Sequence, residues 1–184
     1  GIEAYICIWD RGTRQENGRL AVQGVFRWLE RAVSHPEDIE ARQGMAVAAY
    51  HAGVAINQAG VGNVHAIAHQ LGARYGIPHG HANALALPHV LQACLADAET
   101  ALAELAVVTA VSDAASPAAR AQAFVDAVTD MIRKVGIDET DARIQAADWE
   151  VLAHAAMDES DGYVSPRLLT KPEIMDTLKR ITAG

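Results

Sequence analysis

Aromatic residues are scarce in this chain, 5% of 184, so its apolar content does not come from large rings. Cysteine is scarcer: Cys7 and Cys94 sit in apolar contexts and form no CxxC-type pair. That excludes a disulfide framework and makes a reduced, cytoplasmic protein the expectation. Basic residues are few, 15 Lys and Arg against 23 Asp and Glu, for a net charge of -8 and a pI near 5.4. Phosphate binding needs clustered Lys and Arg, so the balance argues against nucleic acid as a partner. No apolar stretch reaches the roughly 18 residues of a membrane-spanning helix. No basic start leads into an apolar middle as in a secretory signal. Strand-like alternation, internal repeats, low-complexity tracts and long runs of like charge are missing too.

What is present is alanine. The apolar fraction is 51%, and much of it is Ala, the best helix former and a residue that lets helices pack closely. The fold class expected is all-α: a compact multi-helix domain over residues 1–184, a length that suits one domain. Residues 2–9 read as the tail of a helix, and Gly1 leads straight into it, which predicts a chain that starts inside an element, a fragment. Asp10 to Gly18 reads as a loop or helix start. Val22, Val25, Phe26, Leu29 and Val33 recur at helical spacing. Ser34 and Glu37 form a capping-box pattern, with Pro36 in the first turn of a helix running to about Asn57. Its small residues Ala46, Ala49, Ala52 and Gly53 suggest close contact with another helix.

Gly60 and Gly62 then break the chain before a helix holding Val64 to Ala73. Gly76-Ile77-Pro78 is a second break, with a helix from Pro78 to about Leu95. Asp97 could cap a helix to about Thr109. Phe124, Val128, Met131, Ile132 and Val135 mark another, ended by Gly136. Asp141 could cap one through Ala156. Asp158 to Pro166 reads as irregular. Thr170 and Glu173 form a second capping-box pattern, before a last helix on Ile174, Leu178 and Ile181.

Five of the eight histidines fall in one short stretch: His65, His69, His79, His81 and His89. His65 and His69 are four apart, so they share a helical face. The spacing is that of the HExxH metalloproteases, but Ala66, Ile67 and Ala68 lie between, and the general base of that chemistry is missing. His79 follows Pro78 in a first helical turn, where the helix dipole disfavours the imidazolium and favours the metal-binding neutral ring. A turn between two helices can bring His65 and His79 to one point. Against this stands the bland reading, in which each ring is a buried or helix-end residue with a satisfied hydrogen bond. That is the reading taken for His81 and His89. His35, His51 and His154 are isolated.

The run from Gly60 through Val90, which reads Gly60-Val61-Gly62-Asn63-Val64-His65 and continues through His69 and Pro78-His79-Gly80-His81, strongly resembles the signature of iron-containing (group III) alcohol dehydrogenases. Gly1-Ile2-Glu3-Ala4-Tyr5 is similar to the end of that family's earlier metal motif. Ala41-Arg42 through Ala52-Gly53-Val54-Ala55 resembles the helix before the signature, and a weaker likeness extends to the end of the chain.

The resemblance implies that His65 and His79 are metal ligands and that His69 is catalytic, lying beside the metal near nicotinamide and substrate. It implies a divalent metal, Fe(II) or also Zn(II), acting as a Lewis acid on the oxygen of a small alcohol or aldehyde, with hydride exchanged with NAD or NADP. It also implies that this chain is the C-terminal helical, metal-binding domain only. The family's N-terminal nucleotide-binding domain is absent, and its other two ligands, an Asp and a His four residues later, would lie immediately before Gly1. Near the end, Ser165-Pro166-Arg167 stands where the family often has Asn-Pro-Arg. The isolated chain is therefore expected to bind metal weakly and to lack dehydrogenase activity. Two other readings stay open. One is a stand-alone helical interaction module with remnant histidines, assembling as a homodimer; the other is one half of a split dehydrogenase.

Overall fold

A computed structural model describes residues 1–8 and 12–183. The described residues form helices α1 (Ile2–Ile6), α2 (Thr13–Ser34), α3 (Ile39–Ala59), α4 (Asn63–Tyr75), α5 (His79–Ala93), α6 (Glu99–Val108), α7 (Pro117–Lys134), α8 (Trp149–Ser160) and α9 (Lys171–Ile181). They contain no β-strand; a lone bridge joins Asp141 to Thr182. The fold class is all-α, as the composition indicated. No helix is long and apolar enough to cross a membrane.

Two layers of apolar contact organise the domain. Ile67 and Leu71 of α4, Leu85 of α5, Leu152 of α8 and Leu178 of α9 build one core. Tyr5, Val22 and Leu91 pack with Leu102 and Leu105 of α6 and Phe124 of α7 in a second. The ring of Phe26 stacks on Phe124 at 5.4 Å between centroids. α2, which sends Val22 and Phe26 into the second core, forms a long antiparallel hairpin with α3. The backbone of Gly24 lies against Ala48 and that of Gly44 against the Trp28 indole, the crossed order of antiparallel neighbours. The buried small face of α3 is Ala41, Ala48, Ala55 and Ala59. Of the small residues expected from the sequence to make that contact, Ala46, Ala49 and Gly53 are exposed and Ala52 is half-buried.

The α4–α5 hairpin is what matters for the site. Gly76 closes α4 with φ +65°, in the left-handed region that glycine enters without strain. Ile77 then drops into the core, and Pro78, at φ -54°, leads into α5. Two residues separate the αL turn from the next helix, so α5 returns alongside α4.

Several helix ends differ from the sequence reading. Ser34 is the last residue of α2, its hydroxyl donating back to the Glu30 carbonyl, and α3 is capped by Asp38, which accepts from the Ala41 N–H. Asp97 caps nothing and pairs with Arg167 at 2.9 Å. Asp141 does not open a helix: its carboxylate takes the Arg143 N–H and guanidinium, and α8 begins only at Trp149, after a 3-10 turn Ala146–Asp148, and extends to Ser160. The helix read over 2–9 ends at Ile6, and Trp9, Asp10 and Arg11 lie outside the described residues. Gly136, at φ +80° just beyond α7, and the capping box of Thr170 and Glu173 stand as read.

Glu173 also receives the Arg167 guanidinium at 2.6 and 3.0 Å. Arg167, and after it Thr170, hold the Glu173 carboxyl down at about 2, against an ordinary value of 4.5. A carboxyl depressed on folding stabilises the native state above its unfolded pKa, and that stability is lost as pH falls through the folded value. Thermal unfolding followed from pH 5 to pH 2 should show a steepening loss of Tm in the wild type. Glu173→Gln should start less stable at pH 5 and lose less over the same interval; equal pH slopes would count against the Arg167–Glu173 pairing.

Candidate functional site

His65 and His69 occupy successive turns of one face of α4, and His79 opens α5 across the hairpin. The three rings form a triangle, with centroids 5.7 Å (His65–His69), 5.3 Å (His65–His79) and 5.4 Å (His69–His79) apart. The hairpin thus brings together the three histidines singled out in the sequence.

The other histidines lie outside the triangle. His81 faces Asp141 at 3.6 Å. His89 lies among charges of α9 and the 138–139 loop, its protonation disfavoured first by burial and then by Arg180. His35 contacts Ser34, His51 contacts Asn17, and His154 lies 3.6 Å from Asp158.

Two of the three rings are held by carboxylates that sequence reasoning did not single out. Glu3 meets His65 Nδ1 at 2.5 Å and also accepts the backbone N–H groups of Gly62 (3.2 Å) and Val64 (2.8 Å). It thereby satisfies donors left unpaired at the N-terminus of α4. Glu159, at the end of α8, meets His69 Nδ1 at 2.5 Å and accepts from Gln70 Nε2 (2.6 Å) and Tyr163 Oη (2.9 Å). Burial, and then the Glu159 bond, push the Tyr163 phenol up to about 12, so this hydroxyl stays a donor over the physiological range.

Among the described residues His79 has no carboxylate partner. Its protonation is disfavoured first by desolvation and then by the charges of His65 and His69. The neutral ring expected from the helix dipole is thus favoured, for a different leading reason. The only signal for Glu3 was its place in the quoted segment Gly1–Tyr5, and Glu159 carried none.

Beside His65 and His79 opens a cavity of about 430 Å³. Its walls are apolar, among them Val22 and Phe26 of α2, Ile56 of α3 and Leu87 of α5, with Glu3, His65, His79 and Asn83 as polar groups. An apolar space flanked by imidazoles can take a small organic molecule with its polar end at the rings.

A divalent metal fits these residues only in part. With Nδ1 of His65 and His69 occupied by carboxylates, Nε2 is the nitrogen left for a ligand, the usual arrangement around metal-binding imidazole. Among the described residues, however, no group of three or more His, Cys, Asp or Glu is disposed to hold an ion. The donors present make up part of a coordination sphere.

Fold and site together define a helical domain that presents a histidine triangle beside an apolar cavity. Over residues 1–182 it matches the Fe-containing alcohol dehydrogenase family, C-terminal, and the chain belongs to that family. It is 31% identical over 97% of its length to 1,3-propanediol dehydrogenase of Citrobacter freundii, covering 47% of that protein. It is 33% identical to the NAD-dependent methanol dehydrogenase of Bacillus methanolicus, covering 97% of this chain and 48% of that one. A crystal structure of 1,3-propanediol oxidoreductase superposes with a TM-score of 0.93 at 31% identity, over 98% of this chain and 48% of the other. The chain spans about half the length of the curated relatives it matches.

Gly62 explains how Glu3 comes so close to α4. A Cβ there would lie 2.6 Å from Glu3 Oε1 and 2.7 Å from Ser165 Oγ. Gly62→Ala should therefore displace the carboxylate and cost on the order of 1–3 kcal/mol, as overpacking of a tight contact does. Gly53, with open space in α3, is the control: Gly53→Ala should be neutral or stabilise by up to about 1 kcal/mol through helix propensity. Urea unfolding of both variants checks this, and equal midpoints would refute it.

Proposed function

We propose that this chain is the helical, metal-ligand-bearing domain of an NAD(P)-dependent alcohol dehydrogenase. His65 and His79 serve as ligands to a divalent metal, Fe(II) or Zn(II), and His69 lies beside the reacting atoms. The observation that carries the reading is the triangle of imidazoles beside an apolar cavity, in a chain of the Fe-containing alcohol dehydrogenase family. When bound, such a metal supplies Lewis acidity, which lowers the pKa of an alcohol hydroxyl and polarises a carbonyl for the reverse reaction.

The chain's own residues would do the following. The suppressed protonation of His79 keeps its lone pair available as a donor. The walls around Val22, Phe26, Ile56 and Leu87 shield the carbon chain of a small alcohol or aldehyde from water. His69, held through Nδ1 by Glu159, takes or returns the hydroxyl proton at Nε2. The remaining metal donors would be the Asp and His that the family carries just before the residue matching Gly1, and the nicotinamide would belong to a nucleotide-binding domain; the relatives, about twice as long and one of them named NAD-dependent, support that division. The setting is cytoplasmic, in keeping with the free thiols of Cys7 and Cys94.

Anaerobic Fe(II) binding tests the ligand assignment. The chain alone should bind weakly and show no turnover with NAD(P)H and small aldehydes. His65→Ala and His79→Ala should each weaken binding by more than about 100-fold, beyond what loss of an outer partner does, and His69→Ala much less. Joined to a nucleotide-binding domain of the same family and to the family's Asp- and His-bearing segment before Gly1, the chain should oxidise small primary alcohols. Fe(II) affinity unchanged by both His65→Ala and His79→Ala would sink the assignment.

A further inference from the structure

We propose that Glu3 and Glu159 are positioning residues that fix the tautomers of His65 and His69, holding the proton on Nδ1 of each ring and the lone pair on Nε2. The inference deepens the proposed function and rests on it for its purpose, but its geometry stands apart. A neutral imidazole can donate from either nitrogen, and its partner decides which.

At His65 the partner has no choice. Glu3 Oε1 accepts from the Val64 N–H and Oε2 from the Gly62 N–H, and a backbone N–H can only donate. Both carboxylate oxygens are thereby committed as acceptors, so the hydrogen in the 2.5 Å contact to Oε2 comes from His65 Nδ1.

At His69 the same logic runs through different atoms. Gln70 Nε2 donates to the Ala66 carbonyl and to Glu159 Oε2. The carbonyl can only accept, so the amide orientation is fixed and Oε2 is an acceptor. Tyr163 Oη donates to Oε1, leaving His69 Nδ1 to donate to that oxygen as well. Among the described residues, no hydrogen bond uses Nε2 of either ring, and both rings border His79 at 5.3–5.4 Å. His79 differs, its ring meeting, among the described residues, the Asn83 amide at 3.3–3.5 Å.

Replacing either carboxylate by an amide inverts the hydrogen bond. In Glu3→Gln the Val64 N–H, the shorter of the two backbone contacts, keeps the amide oxygen at the Oε1 position, which turns the NH₂ toward His65 Nδ1 and gives up the Gly62 N–H bond. That nitrogen must then accept, and the proton moves to Nε2. Glu159→Gln does the same at His69, because Gln70 keeps the amide oxygen.

The test is side-chain ¹⁵N NMR of the histidines in the metal-free protein, at a pH above the imidazole titration. In the wild type, His65 and His69 should both show the Nδ1–H pattern. Glu3→Gln should convert His65 alone to Nε2–H, Glu159→Gln should convert His69 alone, and His79 should follow neither. A merely structural role would not move the tautomer at one ring and spare its neighbour.

Zn²⁺ titration provides a second readout, with Glu3→Gln expected to weaken binding about 10- to 100-fold. Because Glu3 also caps α4, that variant could fail to fold; Glu159→Gln then decides the claim at His69. A wild-type ring in the Nε2–H form, or a folded variant whose tautomers match the wild type, overturns the inference. Wild-type tautomers as expected in a protein that takes up no metal would overturn the proposed function and leave this inference standing.

Discussion

The carboxylate of Glu3 is the contact on which the site geometry depends. It stands in a five-residue helix at the start of the chain, yet it accepts three donors at the entrance to α4, including the first histidine of the cluster. A side chain only 11% exposed would be costly to bury alone, by several kcal/mol for an unpaired charge; three donors offset that cost. Asn63, also at this entrance, turns the other way. Its amide donates to the Arg167 carbonyl, and its oxygen accepts from the Leu169 N–H. The first turn of α4 is thus fixed to both ends of the sequence, and His65, one residue past Val64, inherits that placement.

The histidine triangle follows from two local rules and one tight turn. Spacing of four places His65 and His69 on adjacent turns of α4, and Gly76 with Pro78 reverses the chain in few enough residues that His79 begins the returning helix beside them. All of this was legible in the sequence, because it depends on i,i+4 periodicity and on backbone preferences that glycine and proline announce. The partners of the rings were not legible. Residue 3 reaches residue 65, and residue 159 reaches residue 69, only through the packing of α1 and α8 on α4, and no local pattern encodes a contact across 62 or 90 positions.

The misread caps have a related cause. Ser34-His-Pro-Glu37 and Asp38 offer competing start signals within five residues. The Ser34 hydroxyl was already committed backwards to Glu30, so the cap fell to Asp38. Asp141 and Asp97 looked like caps for the same chemical reason, a short acidic side chain before an apolar run, but arginines distant in sequence or in the next turn took their oxygens. Thr170 and Glu173 kept theirs because the reciprocal bonds of a capping box are local. Even there Arg167 adds a partner that the pattern does not mention.

Three imidazoles stand with centroids under 6 Å apart, and at His79, after desolvation, the charges of His65 and His69 disfavour protonation. The neutral ring so favoured at His79 is the metal-binding form, and it borders the apolar cavity. The arrangement therefore suits a ligand that brings its own positive charge or Lewis acidity and an apolar tail. Yet the donors the chain holds do not close a coordination sphere among the described residues. A partial site of this kind keeps a useful geometry only if its rings are oriented from within the chain. Glu3 and Glu159 do that for two of them through bonds that allow a single direction of donation. The third ring, whose hydrogen-bond contact among the described residues is the Asn83 amide, has no such carboxylate among them to set its orientation.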